Sequence, residues 1–533
     1  MKYFSTKKNF FRLSLLLSVL INFISYIDSA KILVFFPLST YSHVNMFKGM
    51  VKPLLNRGHE IDFVSFYPLN VKHKRYSDID ISNCFSVFKN NITVLKSAIG
   101  DLGLLQDVMF KLNGYNLMDA VLKSPQLREL RNTTKKYDLI LRHVFLSDPL
   151  EIYSHIFKAP SIGIITSFNL PWTSDLVGIP DSPAFIPSFN GPYGEKMTFI
   201  ERAHNILIYT YQKYQYWSLQ KRFTELVWKY FGRNMPTVEE LIGKTSLIFC
   251  NSHYTIHQSR SMPPNFIEIG GVHIPEKNNF TLPKNLQLSV DSSKQGIIYF
   301  SFGSMVRSTS FNRKTLSTMF EALGKQPYKV FWKGVKEEIP DDLKIPDNII
   351  FETWMPQLDI LCNPNTKLFI SHGGLFGVQE AIYCGLPILG IPFFADQASN
   401  IQFLVEKNVA KLIYVDDIPE GNLFKEYVET LLKPQFKQNA ENLSKLFRDR
   451  PMSPIKTAIY WIEYVIKHNG APHLKSFVTK LYWYQYYLLD IIGVILIIFL
   501  FIFIILYLIC KQLIKLALKV KGIQYICNSK KRK

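Results

Sequence analysis

Hydrophobic positions along the chain fall into short unbroken runs that alternate with longer stretches of helical spacing. Lys31-Ile-Leu-Val-Phe-Phe36 is the first run, apolar at consecutive positions as in a strand covered on both faces. From His43 to Arg57 the apolar residues Val44, Phe47, Val51, Leu54 and Leu55 recur at helical intervals. Gly58 stops that helix, and His59 to Phe66 reads as a second strand. Strand, helix, strand with short loops is the unit of a parallel sheet. Tyr137 to Val144 and Ser161 to Thr166 extend the sheet, and Thr245 to Cys250 is a candidate for its closing strand.

The pattern breaks between Asp175 and Tyr230. Pro180, Pro183, Pro187 and Pro192 cut the chain into loops, and Met197 to Phe231 follows as a long helix dense in Tyr, Trp and Phe. Either that helix packs on the core, or its aromatics form a lipophilic pocket or a membrane-facing patch. Pro275 to Gln295 is polar and aperiodic, as a linker would be. Gly296 to Phe302 opens a second alternating series, with strands expected near Tyr328, Asn348, Lys367, Leu386 and Ala410, and Lys456 to His468 is a further helix. The expectation is two doubly wound α/β domains facing each other across a cleft.

The two ends concern location. Met1 to Ala30 has basic residues, the apolar run Leu13 to Ile21 and then small residues, a signal-peptide layout, with a retained anchor as the other reading. Ile491 to Cys510 is free of charge and long enough for the roughly 30 Å hydrocarbon core of a bilayer. Lys511, Lys515, Lys519 and Lys521 follow it, and Tyr482, Trp483, Tyr484, Tyr486 and Tyr487 precede it, which places the C-terminus in the cytosol. The expected organisation is signal peptide 1–30, first domain 31–274, linker 275–295, second domain 296–450, membrane-proximal segment 451–488, transmembrane helix 489–510 and basic tail 511–533. The ending Lys530-Lys531-Arg532-Lys533 resembles an endoplasmic-reticulum retrieval signal, or is a plain basic flank. Asn91, Asn132, Asn279 and Asn442 are glycosylation acceptors on the luminal side of this single-pass, type I layout.

The net charge of +20 would suit nucleic acid, but eight of the cations lie in the last 23 residues and no recognition motif accompanies the rest. No nucleic-acid partner is expected. The six cysteines show neither CxxC nor a zinc-like pairing with His, and the luminal four are open to disulfides or buried thiols. Asp78-Ile-Asp80 reads as a polar loop outside any nucleotide-binding context, so no metal site is expected there.

Candidate chemistry concentrates between Asn348 and Val405. Lys367 to Ser371 reads as a strand, His372-Gly373-Gly374 as a turn and Leu375 to Tyr383 as the helix it starts, an arrangement whose free N–H groups suit a phosphate. Ser304 ends the series' first strand and adds donors. Trp354 offers a flat face for a base, Gln357 an amide for its edge, Glu380 a carboxylate for ribose hydroxyls, and Asp396-Gln397 polar groups for a sugar. An NAD-type Rossmann enzyme is disfavoured because no GxGxxG follows the first strand.

This stretch resembles the signature of the UDP-glycosyltransferases, including the membrane-bound UDP-glucuronosyltransferases. The Trp-x-x-Gln start, the Ser-His-Gly-Gly turn, the Glu-Ala-Ile-Tyr-x-Gly-x-Pro helix exit, the Ala-Asp-Gln close and Phe300-Ser-Phe-Gly-Ser304 all stand at family spacing. The resemblance implies a GT-B fold and metal-independent, inverting transfer from a UDP-sugar co-substrate to a small lipophilic acceptor. By it, Trp354 and Gln357 bind the base, Glu380 the ribose, Ser304, His372, Gly373 and Gly374 the diphosphate, and Asp396 and Gln397 the sugar. Phe376 departs from it, standing where many relatives carry Asn. A homo-oligomer is compatible with the sequence.

On the acceptor side His43, in the loop after the first strand, is the expected base. The resemblance also calls for an Asp to orient it, yet His143 occupies that place, and Asp148 in the same loop is the substitute expected. A catalytically impaired UDP-sugar-binding protein is therefore the alternative reading.

Overall fold

The computed structural model describes residues 29–38, 40–85, 104–168, 170–276, 279–303, 306–307, 309 and 311–530. The signal-peptide expectation, Asn91, Ser304 and the last three residues of the basic ending lie outside them. Residues 29–475 form one compact unit and Ser476–Lys530 another.

The first unit contains two parallel sheets. Strands β1 (Lys31–Phe36), β2 (Glu60–Ser65), β3 (Tyr76–Asp80), β4 (Leu139–His143), β5 (Ser161–Ile165), β6 (Leu247–Cys250) and β7 (Phe266–Glu268) assemble in the order β3-β2-β1-β4-β5-β6-β7. Strands β8 (Ile297–Ser301), β9 (Lys329–Lys333), β10 (Ile349–Glu352), β11 (Thr366–Ser371), β12 (Ile388–Gly390) and β13 (Ala410–Leu412) follow in the order β10-β9-β8-β11-β12-β13. The central strands are buried along almost their whole length, which explains why their sequences run apolar without alternation. In each sheet the strand order reverses beside the first strand, at β1/β4 and at β8/β11, and ligands of such sheets bind beyond the strand ends at that reversal.

Three features differ from the sequence expectation. Asp78 and Asp80 belong to the edge strand β3, where Asp78 accepts from the backbone of Leu69 and Asn70; half-exposed edge strands tolerate the polarity that made this one read as a loop. β7, only three residues long, lies beyond β6 and closes the sheet in its place. Within the polar stretch 275–295, Lys284–Asp291 is a helix that buries Leu286 and Val290 in the second sheet's core. Two apolar residues one turn apart are too few to show as periodicity.

The helix Pro454–Lys467 comes after the last strand of the second sheet but packs Ala458, Ile459, Ile462 and Val465 against Ile32, Val34 and Leu139 of the first. Cys362 and Cys384 form a disulfide between the ends of the helices Gln357–Leu361 and Leu375–Tyr383. Among the described residues Cys84, Cys250 and Cys510 are free. Asn132, Asn279 and Asn442 are all exposed.

A buried ion cluster fixes the centre of the first sheet. Arg142, fully enclosed in β4, donates from Nε to Glu151 and from Nη1 to Asp148, both at 2.8 Å. Gln220, from the long helix Phe199–Phe231, donates to the other oxygen of Asp148 at 3.0 Å. Burial works against the guanidinium's charge, and Glu151 and Asp148 more than restore it.

The second unit contains the helix Leu489–Lys530, whose segment Leu489–Lys521 is long and apolar enough to cross a membrane, with a mean hydropathy of 3.5 over its most apolar window.

Replacing Arg142 with Ala strands two buried carboxylates, and unfolding followed by urea titration is expected to show a loss of about 3–5 kcal/mol. Loss of the Cys362–Cys384 bridge in Cys362→Ala is expected to cost about 2–4 kcal/mol in the same measurement.

Candidate active site

At the reversal in the second sheet, β8 and β11 end in matching turns. Ser301 Oγ accepts from the Gly303 N–H at 3.3 Å and Ser371 Oγ from the Gly373 N–H at 3.2 Å. Gly373 has φ +84°, and a Cβ there would stand 2.7 Å from the Gln397 carbonyl oxygen. A Cβ on Gly374 would stand 2.4 Å from His372 Nε2, so the backbone folds closely around this imidazole. Gly373 is required by its φ and by the backbone against it, while a side chain at Gly374 would displace the imidazole. The helix Leu375–Tyr383 begins here, and no side chain caps its first N–H groups. A helix N-terminus left open in this way suits an anion. Burial lowers the pKa of His372 to about 4, leaving it neutral, and its Nδ1 has no partner among the described residues.

The other expected donor residues surround this turn. Trp354 is 69% exposed, so its face is open to a ring. Gln357 Nε2 donates to Glu380 Oε2 at 2.7 Å, joining the two residues expected at base and ribose. Burial raises the Glu380 carboxyl to about 7, with Gln357 and the Lys333 ammonium opposing. Asp396 is raised to about 6 by burial, partly offset by Asn400. Gln397 is only half available: its carbonyl oxygen accepts from the N–H groups of Phe393 and Phe394 at 2.8 and 3.2 Å, which leaves its amide nitrogen for a ligand. Ala395 between them adopts φ +55°, the left-handed region that non-glycine residues seldom enter.

Several site residues went unnoticed in the sequence. Lys333, ending β9, is the cation whose charge acts on both Glu380 and His372. A charged residue closing an apolar strand was its signal. Gln379 ties the halves together, donating to the Asn251 carbonyl and accepting from the Gly271 N–H, both at 2.9 Å. Asn400 donates to the Gly373 carbonyl at 3.1 Å and pairs with His257 across the cleft at 3.4 Å. His273, from the turn after β7, brings Nε2 within 3.6 Å of Glu380 Oε1. Such cross-chain contacts leave no local pattern in a sequence.

His43 lies at the reversal in the first sheet, in the first turn of the helix Tyr41–Asn56. Its ring sits 5.3 Å from that of His143 and 6.3 Å from that of Phe376, the second residue of the helix that starts at the donor turn. Phe376 also lies 4.9 Å from the His273 ring and packs on the first sheet's core, so it lies between that core and the turn after β11. Burial lowers the pKa of His43 to about 4, and the residue as a whole is partly exposed. The structure does not bring Asp148 to His43. Arg142 and His143 are consecutive on a strand and point to opposite faces, and the Arg142 side draws Asp148 to itself. The interactions of Asp148 are with Arg142, Gln220 and Tyr216. The neighbour of His43 is Thr166 instead, with Oγ1 3.3 Å from Nδ1.

Comparison with known proteins agrees with this geometry. The family profile described as "UDP-glucoronosyl and UDP-glucosyl transferase" matches residues 30–524. UDP-glucosyltransferase 2 of Dactylopius coccus is 36% identical over 508 residues, covering 95% of this chain and 97% of the relative. UDP-glucuronosyltransferase 2B15 of Rattus norvegicus is 30% identical over 484 residues, covering 86% and 88%. Among solved structures, glycosyltransferase VinC in complex with DTDP superposes with a TM-score of 0.56 at 16% identity, over 82% of this chain and all of the other. UDP-glucose: anthocyanidin 3-O-glucosyltransferase in complex with UDP gives 0.55 at 14%, over 83% and 99%. Two parallel-sheet domains of GT-B type, a histidine at the first sheet's reversal, glycine turns at the second's, and a match along nearly the whole chain lead to one conclusion: this protein belongs to the UDP-glycosyltransferase family.

Proposed function

We propose that the protein transfers a hexose or hexuronate from a UDP-sugar to a small lipophilic acceptor in one inverting, metal-independent displacement. One observation carries the reading: His43 is in ring contact with Phe376 on the helix of the donor turn, so base and nucleotide site share one cleft. The uracil stacks on the open face of Trp354, Gln357 meets the base or ribose, and Glu380 accepts from the ribose hydroxyls. The diphosphate lies at the start of the helix Leu375–Tyr383 beside His372 and the two glycines, with Lys333 balancing its charge. Asp396 and the Gln397 amide hold the sugar.

His43 accepts the proton of the acceptor hydroxyl while its oxygen bonds to the anomeric carbon and the bond from that carbon to the diphosphate breaks, releasing UDP. Aromatics on the first sheet's side, Trp172 stacked on Tyr216 at 4.9 Å and Phe145 tilted against Phe189 at 6.0 Å, supply apolar surface for the acceptor. The extended match to an insect glucosyltransferase favours UDP-glucose over UDP-glucuronate. A luminal endoplasmic-reticulum placement is supported by the apolar helix Leu489–Lys521, the basic residues at its end and the exposed acceptors Asn132 and Asn279. Mass spectrometry of products from a panel of UDP-sugars with a phenolic acceptor tests the reading, which fails if no sugar is transferred.

Trp354→Ala removes the stacking face and is expected to weaken UDP binding by about 5- to 150-fold in calorimetry, the equivalent of ~1–3 kcal/mol. His43→Ala is expected to lower turnover by about 10²- to 10⁴-fold while UDP affinity stays within about twofold. UDP-glucose binding should also depend on pH. Its ribose needs ionised Glu380, whose carboxyl titrates at about 7, so affinity rises with pH up to that value and falls below it, by about tenfold per pH unit at most. In Glu380→Gln this step disappears and only a weaker one near 6 remains, from Asp396.

A further inference from the structure

His43 is not alone in its part of the cleft. Thr166 follows β5 directly, and its Oγ1 lies 3.3 Å from His43 Nδ1 and 3.1 Å from Nε2 of His143. His143 ends the neighbouring strand β4, in register with Ile164, and both it and Thr166 are buried, at 0% and 6% exposure. Three side chains from two strand ends and one helix start thus form a continuous hydrogen-bonded line.

A hydroxyl has one proton, so between two imidazoles it donates to one and accepts from the other. The line therefore runs in one of two directions. If Thr166 donates to His143 Nε2, then His43 must donate from Nδ1–H, and its Nε2 lone pair is open. In the other direction His43 carries its proton on Nε2 and has no lone pair to offer an acceptor. Nδ1 of His143 has no partner among the described residues, so nothing there opposes a proton on it, and only the first direction leaves His43 a lone pair with which to act as a base.

We propose that Thr166 and His143 are positioning residues that hold His43 as its Nδ1–H form, leaving Nε2 as the base, without any carboxylate in the line. The proposal rests on the reading of His43 as the base. When the acceptor proton arrives at Nε2, the imidazolium keeps its hydrogen bond to Thr166 but gains no counter-charge. The charged and titratable groups acting on His143 are His43 and Arg142, whose carboxylate partners Asp148 and Glu151 lie on the opposite sheet face. Burial, followed by those two neighbours, keeps His143 well below the ordinary histidine range, so it stays a neutral acceptor and does not store the proton.

The test uses the full-length, membrane-bound protein with turnover, UDP affinity and pH profile as readouts. Thr166→Val keeps the shape but removes the hydroxyl, and is expected to lower kcat by about tenfold or more with UDP affinity within about twofold. Thr166→Ser restores the hydroxyl and the rate. His143→Asp places an anion in the line, which favours protonated His43 and moves the acid limb of kcat upward by about one pH unit or more. The proposal is overturned if Thr166→Val turns over like the unaltered protein, if Ser rescues no better than Val, or if the acid limb stays in place in His143→Asp. Should Thr166→Val fail to bind UDP, the His143→Asp limb alone decides. Undiminished turnover in His43→Ala would sink the base assignment and the line with it, whereas dependence on His43 with indifference to Thr166→Val sinks the line only.

Discussion

The ion cluster around Arg142 is the constraint on which the half built on the first sheet depends. A guanidinium in the middle of a buried strand is costly unless it is paired with carboxylates and hydrogen-bonded to them. Here Asp148 and Glu151 pair it through Nη1 and Nε, with Nη2 left without a partner among the described residues, and Gln220 extends the network to the long helix Phe199–Phe231. Because neighbouring strand residues face opposite ways, fixing Arg142 on one face fixes His143 on the other. The position of His143 beside His43 and Thr166 follows from a salt bridge that touches neither.

The half built on the second sheet reaches its arrangement by a different route, through backbone rather than charge. β8 and β11 each end in a serine whose hydroxyl accepts from the N–H two residues on, and the glycines that follow let His372 nest between the turns. The disulfide then joins the helices that present Gln357 and Glu380, so the pair expected at the base and the ribose is held by a covalent link at the far end of both. Gln379 and Asn400 connect this half to the first through hydrogen bonds to buried groups.

How much of this the sequence showed varies with the range of the interaction. The central strands were legible because burial on both faces forces unbroken apolar runs, as in Lys31–Phe36. β3 and β7 were not, since an exposed edge and a three-residue strand carry no such pattern. The donor turn was legible because glycine, histidine and helix start are adjacent in the chain. Asp148 was misjudged for an instructive reason: proximity along the loop pointed to His43, while the strand's alternation gave its partner Arg142 to the other face. His273 and Thr166 reach the site from distant segments, and nothing beside them in the sequence marks them as members, whereas Lys333 left only the faint signal of a charge closing an apolar strand.

The cleft's electrostatics favour neutral side chains and leave negative charge to the ligand. His43, His273 and His372 are each lowered to about 4 by burial, while Glu380 and Asp396 are raised to about 7 and 6. Each shift runs toward the uncharged form, as desolvation demands. In the proposed arrangement a diphosphate would meet, among the described residues, the N–H groups that start one helix and Lys333, whose own charge burial discourages. Fixed dipoles need no reorganisation as charge shifts to the leaving diphosphate, so they stabilise it more in the displacement than a mobile, hydrated cation would. His43 faces the same logic from the other side. As the base proposed above, kept neutral and oriented by another neutral group, it would be weak but free to accept a proton across the physiological range. Its driving force would then come from the departure of UDP rather than from an anion at its back.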